Sequence, residues 1–316
     1  MINRVLLRIK ILQIVYSFYK GDMKTVSLAE KELFHSIERT YDLYFQLLLL
    51  SVEITRFASE RIENRRNKLR PTDEDLHPNT RFVDNQFVAQ LERCRAFNDY
   101  LALQKLSWVN YPDIVKKMYD EVIVSDFYSD YMNAPSTDYL SDKDIWRKIY
   151  KKIILQSPDL DESIEEQSIY WTDDIEIIIS FVIKTIKRFD LANGDQQPLL
   201  QMFHDDEDAD FARKLLRATL QNAEANKKLI DEHTQNWEFD RIAFMDIIIM
   251  QIALAEITDF PTIPVNVTLN EYIEIAKNYS TEKSGLFING VLDNIVNEMK
   301  SQNKLVKVAM FGDTKK

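Results

Sequence analysis

Residues 263–293 run IPVNVTLNEYIEIAKNYSTEKSGLFINGVLD, and they can be read in two ways. Asn289-Gly290 is a strong hairpin dipeptide and argues for two strands. Helical spacing argues the opposite. Ile288, Val291, Leu292, Ile295 and Met299 line one face of a helix from about Ser284 to Lys300, and the period runs unbroken through the Asn-Gly pair. A glycine inside a helix costs about 1 kcal/mol relative to alanine, so Gly290 is expected where another backbone approaches closely. Upstream, Thr268-Leu269-Asn270-Glu271 has the form of a capping box, with Val267 and Tyr272 as its hydrophobic staple. The helical reading is preferred throughout.

Working outward, Phe239 to Ile257 is nearly apolar on all sides, as expected of a central helix, and Pro261 and Pro264 end it. Phe211, Leu215, Ala218, Asn222, Ala225 and Leu229 step by four and three, which predicts one helix starting near Asp210. Residues 191–210 read as a loop. Ile175 to Phe189 has a helical apolar pattern, and the stretch from Ser157 to Asp174 is acidic. Residues 81–156 read as helical, punctuated by Pro112 and Pro135. Residues 27–66 read as one long helix or two, ending in a charged face from Arg56 to Lys68. The polar break from Arg70-Pro71 through His77-Pro78 marks a boundary. Residues 3–20 predict a helix with Val5, Ile9, Leu12, Tyr16 and Tyr19 as its apolar stripe and Gly21 as its stop. The expected organisation is an N-terminal region 1–70, an inserted helical region 71–207 and a C-terminal domain 208–316.

Composition agrees with long helices. The 316 residues include only 5 Gly and 8 Pro, few for a chain that turns often. One Cys excludes a disulfide framework and fits a reducing cytoplasm. The net charge of −11 is uneven. Residues 1–70 carry 13 Lys+Arg against 8 Asp+Glu, whereas residues 71–316 carry 27 against 43. A basic end that could meet phosphates is joined to an acidic body that would repel them.

Other chemistries find little support. The longest apolar run, Ile247 to Ala255, is interrupted by Gln251 and falls far short of the roughly 18 apolar residues of a membrane span. Arg8 and Lys10 break the apolar start of the chain, against a secretory signal; a transit peptide would need more serine. His35, His77, His204 and His233 have no metal-ligand spacing. His204-Asp205 reads as solvated loop, Asp206-Asp208-Asp210 as charge without the glycine and glutamate of a calcium loop, and Cys94 as core. There is no glycine-rich phosphate loop and no nucleophile elbow, which argues against an enzyme. Arg4 and Arg8 share one helix face, a pattern suited to phosphate, and Tyr16 farther along could stack on a base.

Several blocks in order resemble the NusB family of transcription antitermination factors. They are Asn236-Trp237, Arg241-Ile242 with Asp246, Ile252-Ala253-Leu254 with Glu256, Ile263-Pro264, Val267 to Lys277, and Ser284 with Phe287 to Asp293. Arg4, Arg8 and Gln13 with Tyr16-Ser17-Phe18 resemble the family's N-terminal helix. The resemblance spans about residues 1–20 and 208–300. It implies an all-α fold, a NusB-like bundle of two packed helical subdomains, here with extra inserted helices. It further implies binding of boxA-like ribosomal leader RNA together with a small-subunit ribosomal protein (NusE), a complex that helps RNA polymerase resist termination, with no catalysis and no cofactor. Arg4, Arg8 and Tyr16 match positions that face RNA in the family, and Phe287 matches an aromatic near that surface. Lys283 lies beside it, where the family often has an acid. Val5, Leu6, Ile247 and Gln251 stand where family members can carry arginine. An alternative reading therefore keeps the ribosomal-protein surface, suited to the acidic body, without RNA binding.

Overall fold

The computed structural model describes residues 1–21, 23–203, 205–234 and 243–307. The chain is all-α, with no strand among the described residues. It forms two compact units: residues 38–202 with Met1, and residues 2–37 with 203–307. The chain divides between residues 37 and 38 and again between residues 202 and 203. Helix α2 runs without interruption from Val26 to Arg66 and contributes to both units. Before it, α1 (Arg4–Lys20) starts at Asn3, whose side chain accepts from the Leu6 amide, and stops at Gly21. Gly21 has φ 94°, the left-handed conformation that glycine adopts freely, and its amide donates to the Phe18 carbonyl.

The unit of residues 38–202 contains α3 (Asp73–Leu76), α4 (Gln86–Arg93), α5 (Arg95–Gln104), α6 (Pro112–Ile123), α7 (Asp126–Asn133), α8 (Tyr139–Lys152), α9 (Pro158–Gln167) and α10 (Ile175–Arg188). Its core forms around α2, where Leu43, Tyr44, Leu47, Leu48, Leu50 and Ile54 are buried. Large aromatic side chains bring their polar ends to the α2 backbone. Trp108 Nε1 donates to the Gln46 carbonyl at 2.8 Å, Trp171 Nε1 to Arg39 at 2.6 Å and the Tyr150 hydroxyl to Leu47 at 2.5 Å. Buried Tyr and Trp lose stability unless their polar ends are satisfied in this way. Cys94 is buried at the α4–α5 junction rather than within a helix, and its thiol donates to the Gln197 carbonyl. Pro112 opens α6, the helical position where a missing N–H costs least.

The other unit holds α1, the start of α2, and α11 (Asp206–Gln221), α12 (Ala223–His233), α13 (Phe244–Asp259), α14 (Val265–Tyr279) and α15 (Ser284–Ser301). Helix α13 is central: Ile248 to Ile257 are all buried, and it packs against α1, α11, α12, α14 and α15. Residues 239–242 of the expected central helix lie outside the described residues, as do His204, Asn236-Trp237 and Arg241-Ile242.

Four local expectations are corrected. Helix α11 starts at Asp206, four residues early, because Asp205 caps it and Asp206, Glu207 and Asp208 fill the first turn, where the helix dipole favours acid. The single helix through Leu229 breaks at Asn222, which ends α11 and begins α12. The capping box at Thr268 does not form: α14 begins after Pro264, and Thr268 sits buried inside the helix. Gly290 is helical as expected, but apart from its chain neighbours and the backbone of its own helix no atom lies within 4 Å of where its Cβ would stand. The closely packed glycine is Gly285, whose absent Cβ would stand 3.5 Å from the Ile273 side chain on α14.

The apolar stripe of α1 is also corrected. Leu6, Leu7, Ile9, Ile11, Leu12, Ile14 and Val15 are buried, while Val5 and Tyr16, two members of the expected stripe, are exposed. The helix is embedded on most sides by α11 and α13, so a one-sided stripe describes it poorly.

Candidate nucleic-acid interface

Arg4 and Arg8 lie one turn apart on α1, and both guanidinium groups stand over the Phe211 ring of α11, at 5.1 and 5.4 Å. Their surroundings then diverge. Arg4 is half-exposed, with Nε 3.4 Å from Asp208 Oδ1 and Nη2 3.9 Å from Glu207. Arg8 is 3% exposed. Its Nε and Nη2 donate to the two carboxylate oxygens of Glu256 on α13, each at 2.8 Å, and Nη1 donates to Glu271 on α14 at 3.4 Å. Such a two-pronged arginine–carboxylate pair is geometrically specific.

Glu256 is wholly buried and also accepts from the Thr268 hydroxyl at 2.8 Å and the Tyr272 hydroxyl at 3.1 Å. Burial works to lower the pKa of Arg8, but hydrogen bonding and the charge of Glu256 outweigh it and raise the value. The Tyr272 hydroxyl is pushed well above its ordinary value by burial and by the Glu256 charge. Arg8, Thr268, Glu271 and Tyr272 thus form one polar network that joins α1, α13 and α14. Each of the three Arg8 nitrogens thus donates to a carboxylate of another helix inside the protein.

The other end of α1 is open. Tyr16 is 37% exposed, and its ring lies 5.9 Å from that of Phe244, the first residue of α13, which is 41% exposed. The Lys20 ammonium stands over both rings, 5.4 Å from Tyr16 and 5.0 Å from Phe244. Tyr19 packs edge-on to Phe244, and its hydroxyl donates to Gln251 Oε1 at 2.8 Å. Gln251 Nε2 in turn donates to the Ala223 carbonyl. Gln251 is therefore a buried clamp beneath the cluster and not a surface position from which an arginine is missing. The cluster lies about 18 Å along α1 from Arg4, twelve residues at a helical rise of 1.5 Å.

Lys283 and Phe287 sit one turn apart at the start of α15. Lys283 is exposed and Phe287 half-buried, and the Phe287 amide donates to the Lys283 carbonyl. Asp246 secures this helix start to that of α13 by accepting from Ser280 at 2.5 Å and Ser284 at 2.9 Å. Of the five expected site residues, Tyr16 is brought into an exposed aromatic–cation cluster, Arg4 is half-exposed and paired, Arg8 is buried, and Lys283 and Phe287 share a separate helix start. Sequence reasoning missed Lys20 and Phe244. Lys20 follows Tyr16 by four residues and was legible on that spacing; Phe244 belongs to another element, and only packing brings it there.

The NusB family model matches residues 176–297, from α10 into α15. The match begins earlier than the resemblance read from the C-terminal blocks and does not include residues 1–20. Transcription antitermination protein NusB of Salinibacter ruber is 37% identical over 132 residues, covering 40% of this chain and 82% of that protein. The protein of the same name from Bacillus pumilus is 34% identical over 121 residues, covering 38% of this chain and 92% of its own length. Among solved structures, T. maritima NusB matches at 27% identity over 46% of this chain and 89% of that chain, with a TM-score of 0.30. With more than a third of residues identical across most of the length of the Salinibacter protein, the chain belongs to the NusB family.

Proposed function

We propose that this chain is a transcription antitermination factor that binds boxA-like leader RNA jointly with a small-subunit ribosomal protein, and through them acts on the RNA polymerase elongation complex. It works by binding and not by catalysis. The observation that carries the reading is the cluster of Tyr16, Lys20 and Phe244, two exposed rings under one ammonium. Exposed rings stack on unpaired bases, and the adjacent cation suits the phosphate backbone. Arg4, Lys283 and Phe287 extend the proposed RNA surface. The name carried by the relatives, transcription antitermination protein, supports the same reading.

The test is filter binding of a boxA-like RNA, with and without the ribosomal protein. Binding that the partner strengthens is expected, and absence of binding in both cases at low salt overturns the reading. The pairing of Arg4 and Arg8 with carboxylates favours a second reading, a scaffold that holds the ribosomal protein without touching RNA. In that case a pull-down of the ribosomal protein succeeds, is unaffected by Tyr16→Ala with Lys20→Gln, and yields no RNA crosslinks.

A further inference from the structure

A dense group of exposed basic side chains in the N-terminal region lies at the far end of α2. Between Arg56 and Arg70 the chain carries six Arg and Lys residues against only Glu60 and Glu63. Arg56 pairs with Glu53 and Glu92, and Lys68 pairs with Asp75. Among the described residues, no carboxylate forms an ion pair with Arg61, Arg65, Arg66 or Arg70. The last three are exposed. One or two cations in a last turn suffice to complement a helix dipole; this density exceeds that need.

Arg61 and Arg65 have aromatic neighbours. The Arg61 guanidinium stands 5.9 Å from the Phe57 ring and 6.0 Å from that of Tyr119 on α6. Phe57 and Tyr119 pack edge-to-face at 5.4 Å. Burial raises the Tyr119 hydroxyl, and the nearby charges of Arg61 and Arg65 oppose the rise. On α7, burial pushes the half-buried Tyr128 up to about 12, again opposed by Arg65. Arginine held against a ring keeps its N–H edge available to a phosphate and loses little freedom on binding one.

We propose that this face is a second RNA contact within the unit of residues 38–202. Arg65, Arg66 and Arg70 hold phosphodiester groups of single-stranded RNA, and the half-buried Tyr128 ring near Arg65 provides a surface for an adjoining base. Charge complementarity selects the occupant. Residues 71–316 hold 43 acids against 27 bases, so a polyanion is admitted where unpaired cations are concentrated and repelled from most of the surrounding surface. Interleaved rings suit an unpaired strand, whose bases are free to stack. The proposal rests on the RNA-binding reading above and assigns a further site to the same ligand.

The experiment measures binding of the full-length chain to a labelled leader RNA containing a boxA-like segment, as a function of potassium chloride concentration. R65Q/R66Q/R70Q is expected to lower the slope of log K against log salt by about 2, since each single-strand phosphate contact contributes about 0.7. Affinity at low salt should fall about tenfold or more, with helicity and urea midpoint unchanged. Ultraviolet crosslinks in the wild type should map to the peptide containing Tyr128. An unchanged slope, with crosslinks confined to Tyr16 and Phe244, overturns this inference and leaves the proposed function standing. No RNA binding by the wild-type chain at low salt overturns both. Binding to anionic phospholipid vesicles that the triple variant loses, while its RNA slope is unchanged, also overturns the second RNA contact.

Discussion

The arginines of α1 and those at the end of α2 look alike in sequence and have opposite fates. Arg4 and Arg8 are four residues apart, as are Arg61 and Arg65. On α1 each arginine meets a carboxylate presented by another helix: Asp208 from α11, and Glu256 and Glu271 from α13 and α14. At the end of α2 the arginines meet rings and solvent. A guanidinium neutralised by a buried carboxylate organises a core, whereas one held by a ring remains a cation toward its surroundings. Spacing along a helix shows which residues share a face, but not what that face meets.

The largest effect is expected where the comparison is sharpest. Glu256→Ala leaves Arg8 buried without its principal partner, and breaking such a pair costs roughly 3–5 kcal/mol, read as a drop in urea-unfolding free energy. The double replacement Arg8→Met with Glu256→Leu should recover much of that loss, since apolar side chains of similar size can substitute for a buried pair. Were Arg8 instead a phosphate ligand, Arg8→Ala would weaken RNA binding at unchanged stability, and the contrast between the two regions would fail.

Next in size, Tyr16→Ala should weaken binding of boxA-like RNA by about 1–3 kcal/mol, the contribution of one stacked base, with little change in unfolding. An equal loss of stability would mark Tyr16 as a packing residue. Gly290→Ala should raise stability by about 0.5–1 kcal/mol, because a methyl finds open space on a helix that already has the required geometry. A decrease would show that the site needs the bare backbone.

The smallest effect concerns the α2 end: R65Q/R66Q/R70Q should change unfolding free energy by no more than about 0.5 kcal/mol, as expected for exposed residues. Alkylation of Cys94 sets a baseline for these measurements. Burial raises its thiol above the ordinary range, so thiolate is scarce at pH 8 and labelling should be slow until the chain unfolds.

Much of the fold was legible from local patterns. The spacing of Ile288, Val291, Leu292 and Ile295 outweighed the hairpin signal of Asn289-Gly290, and α15 bears this out. The stop at Gly21 and the all-round burial of α13 were also legible. The failures share a cause. Thr268 and Glu271 have the composition of a cap but serve the Arg8–Glu256 network. A motif confined to four residues carries no information about a carboxylate twelve positions upstream on another helix. The place of Phe244 in the cluster has the same origin, since it comes from lying beside Tyr16 of α1.

By itself the sequence determined the fold class, the main helical segments of the C-terminal third and the family resemblance, because all three are written in periodicity, turn residues and ordered blocks. Tertiary structure alone decided which cations are available. Whether an arginine carries free charge depends on the partners that folding places around it, and those partners come from helices far away in the chain. Packing therefore buried Arg8 against Glu256, gathered Tyr16, Lys20 and Phe244 at the opposite end of α1, and left Arg65, Arg66 and Arg70 exposed.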